Sequence, residues 1–259
     1  MTFFQKVDII IYMEKYHCDR QFSVRYTDVD FKDELKPSTA LSYLQEAACF
    51  SADELGFGYE YLKPKDIAFM VTNVRLEFYN AITLGETVTV RTWPLIPTYA
   101  VFGREYQFYK QNGELAGNAS SRWCAVHLPT GKIQASKFLD NQDYSTYNTD
   151  RALDVKNWKI PAFDCADGEL RFSLTIANSE YDHYYHVNNT RYADYCFNVF
   201  TVEELKAWKL KSFAISYVRQ CREGDYLRFF RKFDGGVYYV QGVNENGETV
   251  VQSEIVFQD

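Results

Sequence analysis

One short segment in the last third of the chain carries residue types that could do chemistry. Asp182 lies four residues before His186, and two of the four histidines of the 259-residue chain lie in this segment. Apolar residues at helical spacing follow, from Tyr192 to Phe200. Because the start of a helix has unpaired N–H groups and a partial positive charge, it can stabilise a developing anion. The segment therefore combines a carboxylate, an imidazole and an anion-stabilising helix start.

A purely structural interpretation of the same segment stays open. Asp is a favoured residue at the N-cap of a helix, so Asp182 could do no more than cap the predicted helix. Asn188 and Asn189 could cap it equally well, which would leave Asp182 free for another role. We expect His183 to face solvent.

Composition limits the classes of protein that the chain can belong to. A 259-residue chain that is 46% hydrophobic can bury one large core or two small ones. A net charge of -7 argues against non-specific nucleic-acid binding, and no apolar run is long enough to span a membrane. Six scattered cysteines without metal-binding spacing indicate free thiols in a reducing, cytoplasmic compartment, and we expect no metal or other cofactor. Residues 1–12 are interpreted as an extension from an upstream start, before Met13.

The hydrophobic periodicity predicts the same order of elements twice. The first series is a strand at 17–28, a helix from Pro37 that stops at Gly56, and strands at 67–79, 86–93, 99–110 and 115–127. The second is a strand at 169–178, a helix at about 188–207, and strands at 212–222, 225–233, 236–243 and 249–257. Each series would curl an antiparallel sheet around one helix.

Matching turns support an internal duplication. Gly224-Asp225 follows the pattern of Gly85-Glu86, and Asn246-Gly247-Glu248 follows that of Asn112-Gly113-Glu114. We therefore predict an N-terminal domain at 13–128 (copy one), a linker at 129–165 and a C-terminal domain at 166–259 (copy two).

The same duplication predicts which residues of the two copies correspond. Phe172-Ser173 echoes Phe22-Ser23, which places Asp33 and Pro37 of copy one roughly opposite Asp182 and His186. Copy one has no histidine near this point, so we expect it to be non-catalytic.

The chain resembles a known family through residues in both copies. Copy one contributes Leu35-Lys36-Pro37-Ser38 and Tyr43-Leu44-Gln45-Glu46; copy two contributes His186-Val187-Asn188-Asn189 and Tyr217-Val218-Arg219-Gln220-Cys221. In these stretches, over about residues 16–257, it is similar to the acyl-acyl carrier protein thioesterases. The resemblance implies an α+β tandem (double) hotdog fold and hydrolysis of fatty acyl thioesters on acyl carrier protein, with release of free fatty acid. An acyl-coenzyme A thioesterase and a non-catalytic acyl-binding protein of the same fold are the alternatives.

The family's functional residues map onto copy two with two departures. The family pattern is Asp-x-Asn-x-His, followed on a later strand by Glu-Cys. Asp182, His186 and Cys221 match it, whereas Tyr184 replaces the Asn and Gln220 replaces the Glu. The resemblance therefore implies a catalytic set with substrate-binding residues beside it: Asp182, His186, Gln220 and Cys221, with Tyr184, Val187 and Asn188.

More than one mechanism fits these residues. Asp182 could be the general base or the nucleophile, and His186 could orient it, orient the water, or donate to the substrate. The first N–H groups of the helix, near Val187 to Asn189, could polarise the carbonyl. Cys221 as a thiol nucleophile is a second possibility, although a Cys on an amphipathic strand usually serves packing. Gln220 could position water or substrate.

The resemblance also implies where the acyl chain and the partner bind. The acyl chain is expected in copy one, between its helix and its sheet, where bulky side chains would set chain length. Copy two carries a local basic excess that is either ordinary solvated surface or a docking patch for acidic acyl carrier protein: Lys206, Lys209, Lys211, Arg219, Arg222, Arg228, Arg231 and Lys232. The two copies could pack on each other as single-copy proteins of this fold pair in a dimer. A further homodimer of the whole chain is possible.

Overall fold

The computed structural model of the chain describes residues 15–139 and 142–258. The interpretation of residues 1–12 as an extension lies outside the described residues. Four α-helices are present in this part of the chain: α1 (Pro37–Glu54), α2 (Tyr59–Leu62), α3 (Asn189–Phe197) and α4 (Val202–Ala207). The copy-one strands, with the short strand that follows them, are β1 (Cys18–Ser23), β2 (Ile67–Phe78), β3 (Thr87–Pro94), β4 (Phe102–Lys110), β5 (Leu115–His127) and β6 (Lys132–Gln134). The copy-two strands are β7 (Glu169–Thr175), β8 (Lys209–Tyr217), β9 (Tyr226–Asp234), β10 (Val237–Val243) and β11 (Thr249–Gln258). None of the described helices is long and apolar enough to cross a membrane.

The strands form one antiparallel sheet that runs through both copies. Its order is β1-β3-β4-β5-β2-β8-β11-β10-β9-β7, with β6 paired to β5. The two copies join where β2 pairs with β8, with Arg75 opposite Ala214. The order reads the same from either end once the two copies are exchanged, which is the arrangement that a duplicated unit produces. The predicted α+β tandem architecture is confirmed.

Helix α1 is the central helix of copy one, as predicted. Pro37 occupies its first turn, where the missing N–H costs nothing, and Gly56 lies just beyond its end with a φ of 78°. Ala40 and Ala47 are completely buried, so small side chains allow close packing of the helix on its surroundings. Helix α1 also packs against α3 of copy two.

The single helix predicted at 188–207 is wrong, because the structure breaks it into α3 and α4. Thr201 Oγ1 accepts a hydrogen bond from the Glu204 N–H at 3.1 Å, and Glu204 Oε2 accepts one from the Thr201 N–H at 2.7 Å. This capping box starts a new helix and ends the old one. Phe200, in the break, is 7% exposed and packs against Trp208 and Phe257.

Strand β8 ends earlier than the predicted strand at 212–222. The Val218 and Arg219 N–H groups both donate to the Val250 carbonyl, at 2.9 and 3.1 Å, which interrupts the regular ladder. Gln220 and Cys221 consequently lie in the loop between β8 and β9. The first strand is also shorter than predicted, since a turn begins at Tyr26.

The segment between the copies is fastened to copy one by a buried carboxylate. Glu105 is completely buried, and it accepts hydrogen bonds from Ser120 Oγ at 2.8 Å, Arg151 Nη1 at 3.1 Å and the Ala152 N–H at 3.1 Å. Asn118 Nδ2 donates to the Ala152 carbonyl at 2.8 Å. The segment therefore packs on the sheet as part of the fold, and its first strand, β6, extends the sheet beyond residue 128.

The predicted correspondence of the turns is confirmed by matching hydrogen bonds. The Gly85 N–H donates to the Val24 carbonyl at 3.0 Å, and the Gly224 N–H donates to the Ile176 carbonyl at 2.9 Å. The Gly113 and Gly247 N–H groups likewise close identical turns.

The same bonds correct the alignment of the first strands. Because Ile176 corresponds to Val24, Leu174 corresponds to Phe22. The predicted match of Phe172 with Phe22 is therefore wrong by two residues.

Candidate active site

The loop before α3 is held by the carboxylate of Asp182. Asp182 Oδ1 accepts hydrogen bonds from the Tyr184 N–H at 2.9 Å and the His186 N–H at 3.1 Å, and the Asp182 N–H donates to the His186 carbonyl at 2.8 Å. Tyr185 closes the turn with a φ of 59°, in the left-handed region. These bonds fix the backbone between the carboxylate and the imidazole.

Copy one contains the same loop with a different residue in the place of the histidine. Asp30 Oδ1 accepts from the Lys32 N–H at 2.8 Å and the Glu34 N–H at 3.2 Å, and Asp33 has a φ of 60°. Asp30 and Glu34 are therefore the counterparts of Asp182 and His186.

The expected counterparts, Asp33 and Pro37, are wrong by three residues. Alignment by residue type fails here because copy one has two Asp residues in the loop. Asp30 is at the first position, and Asp33 has the positive φ that Tyr185 has in copy two. Since Asp30 makes the same bonds without a histidine, those bonds build the loop in either copy.

Helix α3 is capped by Asn188. Asn188 Oδ1 accepts hydrogen bonds from the Thr190 N–H at 3.0 Å and from Thr190 Oγ1 at 2.9 Å. Lys36, at the same position before α1, makes no side-chain cap. The possibility that an Asn caps the helix is thus realised, and Asp182 is not the cap.

The side chains of Asp182 and His186 keep groups available to a ligand. Within residues 142–258 and 15–139, no hydrogen bond engages the His186 ring or Asp182 Oδ2. Both residues are half-buried. A carboxylate oxygen and an imidazole on the same loop are therefore without a hydrogen-bond partner in the described residues.

In copy one, this loop is joined to the neighbouring turn by two backbone bonds. The Leu35 N–H donates to the Ile82 carbonyl at 2.8 Å, and the Leu84 N–H donates to the Asp33 carbonyl at 3.0 Å. The two segments are thereby closed against each other.

In copy two, the corresponding segments are not joined in this way. No backbone hydrogen bond among the described residues links Val187 with Cys221, or Glu223 with Tyr185, and the Glu223 N–H instead donates to the Tyr181 hydroxyl at 2.6 Å. The Val187 N–H is consequently left without a backbone acceptor in the described chain. In the described residues, the copy that carries the Asp–His loop is therefore the one that lacks these two backbone bonds.

Cys221 and Gln220 lie beside this loop in different environments. Cys221 is 1% exposed, burial raises the pKa of its thiol, and the nearby Tyr192 side chain partly offsets that rise. No hydrogen bond in the described regions joins Cys221 to Asp182 or His186. Gln220 is exposed. The structure thus brings Asp182, His186 and Val187 together on one loop and leaves Cys221 packed against α3.

Tyr184 lies where copy two meets copy one. Its ring is tilted by 41° against the His183 ring, with centroids 3.9 Å apart, and lies 6.3 Å from the Tyr59 ring of α2. Burial raises the pKa of the Tyr184 hydroxyl, and the neighbouring Tyr59, Cys49 and Asp182 raise it further. Tyr184 therefore lies beside helix α2 of copy one, and its backbone N–H is bonded to the Asp182 carboxylate.

An apolar cavity lies in copy one, beside this junction. Its volume is about 90 Å³. Helix α1, the sheet and the segment after the sheet all contribute to the lining: Ala48, Cys49, Ala52, Phe57, Phe69, Leu95, Phe102, Arg104, Trp123, Leu139, Tyr144 and Tyr147 among others. The cavity therefore lies between helix α1 and the sheet of copy one, where the resemblance places the acyl chain.

The corresponding space in copy two is filled by aromatic side chains. Because the central helix of copy two ends at Phe197, it lacks the half that carries Ala48 and Ala52 in copy one. Phe200 packs there against Trp208, Tyr238 and Phe257, with ring centroids 5.2 to 6.2 Å apart.

Three cavity residues were not predicted from the sequence: Arg104, Tyr144 and Tyr147. Arg104 is 6% exposed, and its Nη1 donates to Ser51 Oγ at 2.8 Å and Thr92 Oγ1 at 3.3 Å. The alternation of residues along β4 places Arg104 on the inward face, so the period of two could have found it. Nothing in the polar run after the sheet indicates that its tyrosines return to the cavity.

No cluster of three or more His, Cys, Asp or Glu side chains that could hold a metal ion occurs in the described residues. All six cysteines lie within those residues and are free thiols.

The fold is a tandem hotdog in which one copy carries an Asp–His loop and the other carries an Asp–Glu loop at the same place. Two domain models match it: an acyl-ACP thioesterase N-terminal domain over residues 15–137, and an acyl-ACP thioesterase C-terminal domain over residues 168–259. The chain belongs to the acyl-ACP thioesterase family.

Curated relatives and solved structures agree with this assignment. The chain is 24% identical over 225 residues to a chloroplastic acyl-[acyl-carrier-protein] hydrolase of Cuphea viscosissima, covering 83% of this chain and 54% of that protein. It is 26% identical over 220 residues to a palmitoyl-acyl carrier protein thioesterase of Arabidopsis thaliana, covering 81% and 53%. The chain thus spans about half the length of these relatives.

Among solved structures, an acyl-ACP thioesterase from Bacteroides thetaiotaomicron superposes with a TM-score of 0.83 at 22% identity, covering 93% of this chain and 98% of that one. A 12:0-ACP thioesterase from Umbellularia californica gives 0.83 at 18% identity, covering 93% and 97%. At these identities the likeness shows the shared fold.

Proposed function

We propose that the protein hydrolyses the thioester of fatty acyl-acyl carrier protein and releases free fatty acid. The observation that carries the proposal is the asymmetry between two otherwise matching loops. The loop with Asp30 and Glu34 is joined to the neighbouring turn by two backbone bonds, whereas the loop with Asp182 and His186 lacks both counterpart bonds among the described residues. A duplicated fold that omits these bonds in the copy with a carboxylate and an imidazole favours chemistry at that place.

In this mechanism, a water molecule attacks the thioester carbonyl carbon, and Asp182 or His186 takes its proton. The oxyanion is stabilised by the Val187 N–H and the start of α3. The C–S bond then breaks, and the thiolate takes up the proton to leave as a thiol. Asp182 acting as the nucleophile, through an anhydride that water cleaves, uses the same residues. No step requires the Cys221 thiolate.

The acyl chain is proposed to enter the cavity of copy one. An apolar cavity of about 150 Å³ takes up a molecule as large as benzene, whereas this cavity holds about 90 Å³. In the conformation described, it therefore accommodates a few methylene groups. Longer chains require the tyrosines that cover it, Tyr144 and Tyr147, to move.

The proposed partner is acyl carrier protein, docked on basic side chains near the site. Three of the eight basic residues considered for docking are engaged in ion pairs: Arg219 with Glu248, Arg231 with Glu204 and Glu169, and Lys232 with Asp167.

Arg222 is a better docking candidate than those three. It is exposed, follows Cys221 directly, and has no ion pair among the described residues. It lies beside the proposed site, so a carrier held there could present its thioester to Asp182.

A cytoplasmic location and a further homodimer are also part of the proposal. The six free thiols support a reducing compartment. Because the tandem copies already share one sheet, a homodimer would add a contact outside that sheet.

Release of free thiol from acyl carrier protein and coenzyme A substrates of several chain lengths tests the proposal. We expect turnover of the carrier substrates. Turnover of coenzyme A substrates alone would favour an acyl-coenzyme A thioesterase, and no turnover by the folded protein would leave a non-catalytic acyl-binding protein.

A further inference from the structure

We infer that the cavity of copy one accepts acyl chains that carry an oxygen at their far end, and that Arg104 binds this oxygen. The inference rests on the proposed function, because it takes the cavity as the place of the acyl chain, and it adds a substrate class to that function. The observation that carries it is a guanidinium in the wall of an otherwise apolar cavity. Arg104 is 6% exposed, and it is the one charged residue among the described residues that line the cavity.

Arg104 is held by one of its three side-chain nitrogens. Nη1 donates to Ser51 Oγ at 2.8 Å and to Thr92 Oγ1 at 3.3 Å, so the guanidinium is tied to α1 and β3. Within residues 15–139 and 142–258, Nε and Nη2 make no hydrogen bond, and no carboxylate forms an ion pair with Arg104. These two nitrogens carry three of the five N–H donors of a guanidinium. The side chain is thus fixed in position and has three donors without an acceptor in this part of the chain.

The next residue shows how the same strand satisfies a buried charge. Glu105 is completely buried, and its carboxylate pairs with Arg151 and accepts hydrogen bonds from Ser120 Oγ and the Ala152 N–H. A buried charge without such partners is costly. The lack of a carboxylate beside Arg104 therefore favours an acceptor that a ligand supplies.

The order of the strands places Arg104 on the side of the cavity away from copy two. Four neighbouring strands contribute lining residues: Phe69 on β2, Trp123 on β5, Arg104 on β4 and Pro94 on β3. Strand β2 borders copy two, and β4 lies two strands further from it, which is about 10 Å at the usual strand spacing. An acyl chain whose thioester faces copy two therefore reaches Arg104 with its far end.

An unsubstituted chain and an oxygenated chain differ in their effect on these donors. A hydrocarbon end that fills the cavity excludes water from Nε and Nη2 and supplies no acceptor. A hydroxyl oxygen at the same place accepts a charge-assisted hydrogen bond, which is typically worth about tenfold to a hundredfold in affinity. Without Arg104, the same hydroxyl would be buried without a partner, which is unfavourable.

Arg122 provides a matched control for Arg104. It lies on β5, next to β4, and is not a lining residue of the cavity. Its guanidinium carbon lies 4.5 Å from the centroid of the Trp158 ring. Arg104→Met and Arg122→Met each replace a guanidinium by an unbranched apolar side chain, and the change in the first variant alone is in the cavity.

The test measures kcat/KM on two carrier thioesters of equal chain length, one unsubstituted and one with an ω-hydroxyl. We expect the ratio of the hydroxylated to the unsubstituted substrate to fall about tenfold or more in Arg104→Met, and to stay at the wild-type value in Arg122→Met. Thermal unfolding verifies that each variant is folded. If Arg104→Met does not fold, Arg104→Lys, which keeps the charge and loses the planar fork of donors, should lower the ratio in the same direction.

Three results would overturn the inference and leave the proposed function standing. The first is an unchanged ratio in folded Arg104→Met, and the second is an equal fall in Arg104→Met and Arg122→Met. The third is a wild-type ratio of about 0.01 or lower, since a purely apolar pocket rejects an added hydroxyl by about that factor. No turnover of any thioester by folded wild type would overturn the inference and the proposed function together.

Discussion

Asp182 and Asp30 occupy the same position in the two copies, and each carboxylate accepts the N–H groups two and four residues ahead of it. Comparing the two carboxylates separates a structural role in the loop from a role in chemistry, which one copy alone could not do. The contribution of the carboxylate to the loop is common to both copies. In the described residues, the neighbouring His186 and the lack of backbone bonds to the Cys221 segment belong to copy two.

The Asp pair gives the first prediction. Asn retains an oxygen acceptor for the backbone bonds but cannot act as a base or nucleophile. Asp182→Asn should therefore lower kcat at least 100-fold with the melting temperature nearly unchanged, and Asp30→Asn should keep wild-type activity. Thiol release and thermal unfolding check both. An equal loss in the two variants would assign Asp182 to loop structure.

His186 gives the second prediction. Its ring makes no hydrogen bond within the described regions, so His186→Ala should change the free energy of unfolding by less than about 1 kcal/mol. The same change should remove most activity. A fully active His186→Ala protein would exclude the imidazole from the mechanism.

Cys221 gives the third prediction. The thiol is buried, its pKa is raised, and it packs against Tyr192. A buried thiol is a poor source of thiolate at neutral pH. Cys221→Ala should therefore retain activity within about fivefold, and its pH–rate profile should have the shape of the wild-type profile. Complete loss of turnover in a folded Cys221→Ala protein would point to a thiol nucleophile.

Glu105 gives the fourth prediction, which concerns stability. Removing a buried charged partner and leaving its donors unpaired costs about 3 kcal/mol or more. Glu105→Ala should reach that cost, because Ser120 and Ala152 lose an acceptor. Arg151→Ala should cost about 1 kcal/mol or less, since the Arg151 side chain is 60% exposed. Urea unfolding measures both, and a larger cost for Arg151→Ala would contradict this account.

Cys196 gives a prediction of pH dependence. Burial raises the pKa of its thiol from 9.0 to about 12. As pH rises above 9, the unfolded chain loses this proton while the folded chain keeps it, so the unfolded state binds fewer protons and stability falls. The contribution is fully present below pH 9 and is lost towards pH 12. Cys196→Ala should make the fall of unfolding free energy over this range shallower, and an unchanged slope would contradict the assignment.

Much of the fold could be predicted from local patterns. Pro37, the spacing of Leu41 and Leu44, and Gly56 fix helix α1, and the Gly-containing turns fix the hairpins. The break at Thr201 was missed because apolar periodicity continues through Phe200, and the capping box outweighs it.

The residue types of the candidate site could be predicted from the sequence, but the contacts that its residues make could not. Asp182 and His186 stand out by spacing. The true register with copy one depends on hydrogen bonds of the loop, not on residue identity, so Asp30 was missed. The burial of Cys221 against Tyr192 and the place of Tyr184 beside Tyr59 are contacts between distant segments, which no local pattern records.

The central claim is that copy two performs the chemistry and that the cavity of copy one determines which acyl lengths are accepted. The most direct test compares kcat/KM across acyl lengths for Ala52→Leu, which fills the cavity, and Asp182→Asn. We predict that Ala52→Leu shifts the preferred length downwards while the best substrate keeps a kcat near that of wild type, and that Asp182→Asn lowers kcat/KM equally at every length. An unchanged length profile in Ala52→Leu, or a shifted one in Asp182→Asn, would contradict this division between the copies.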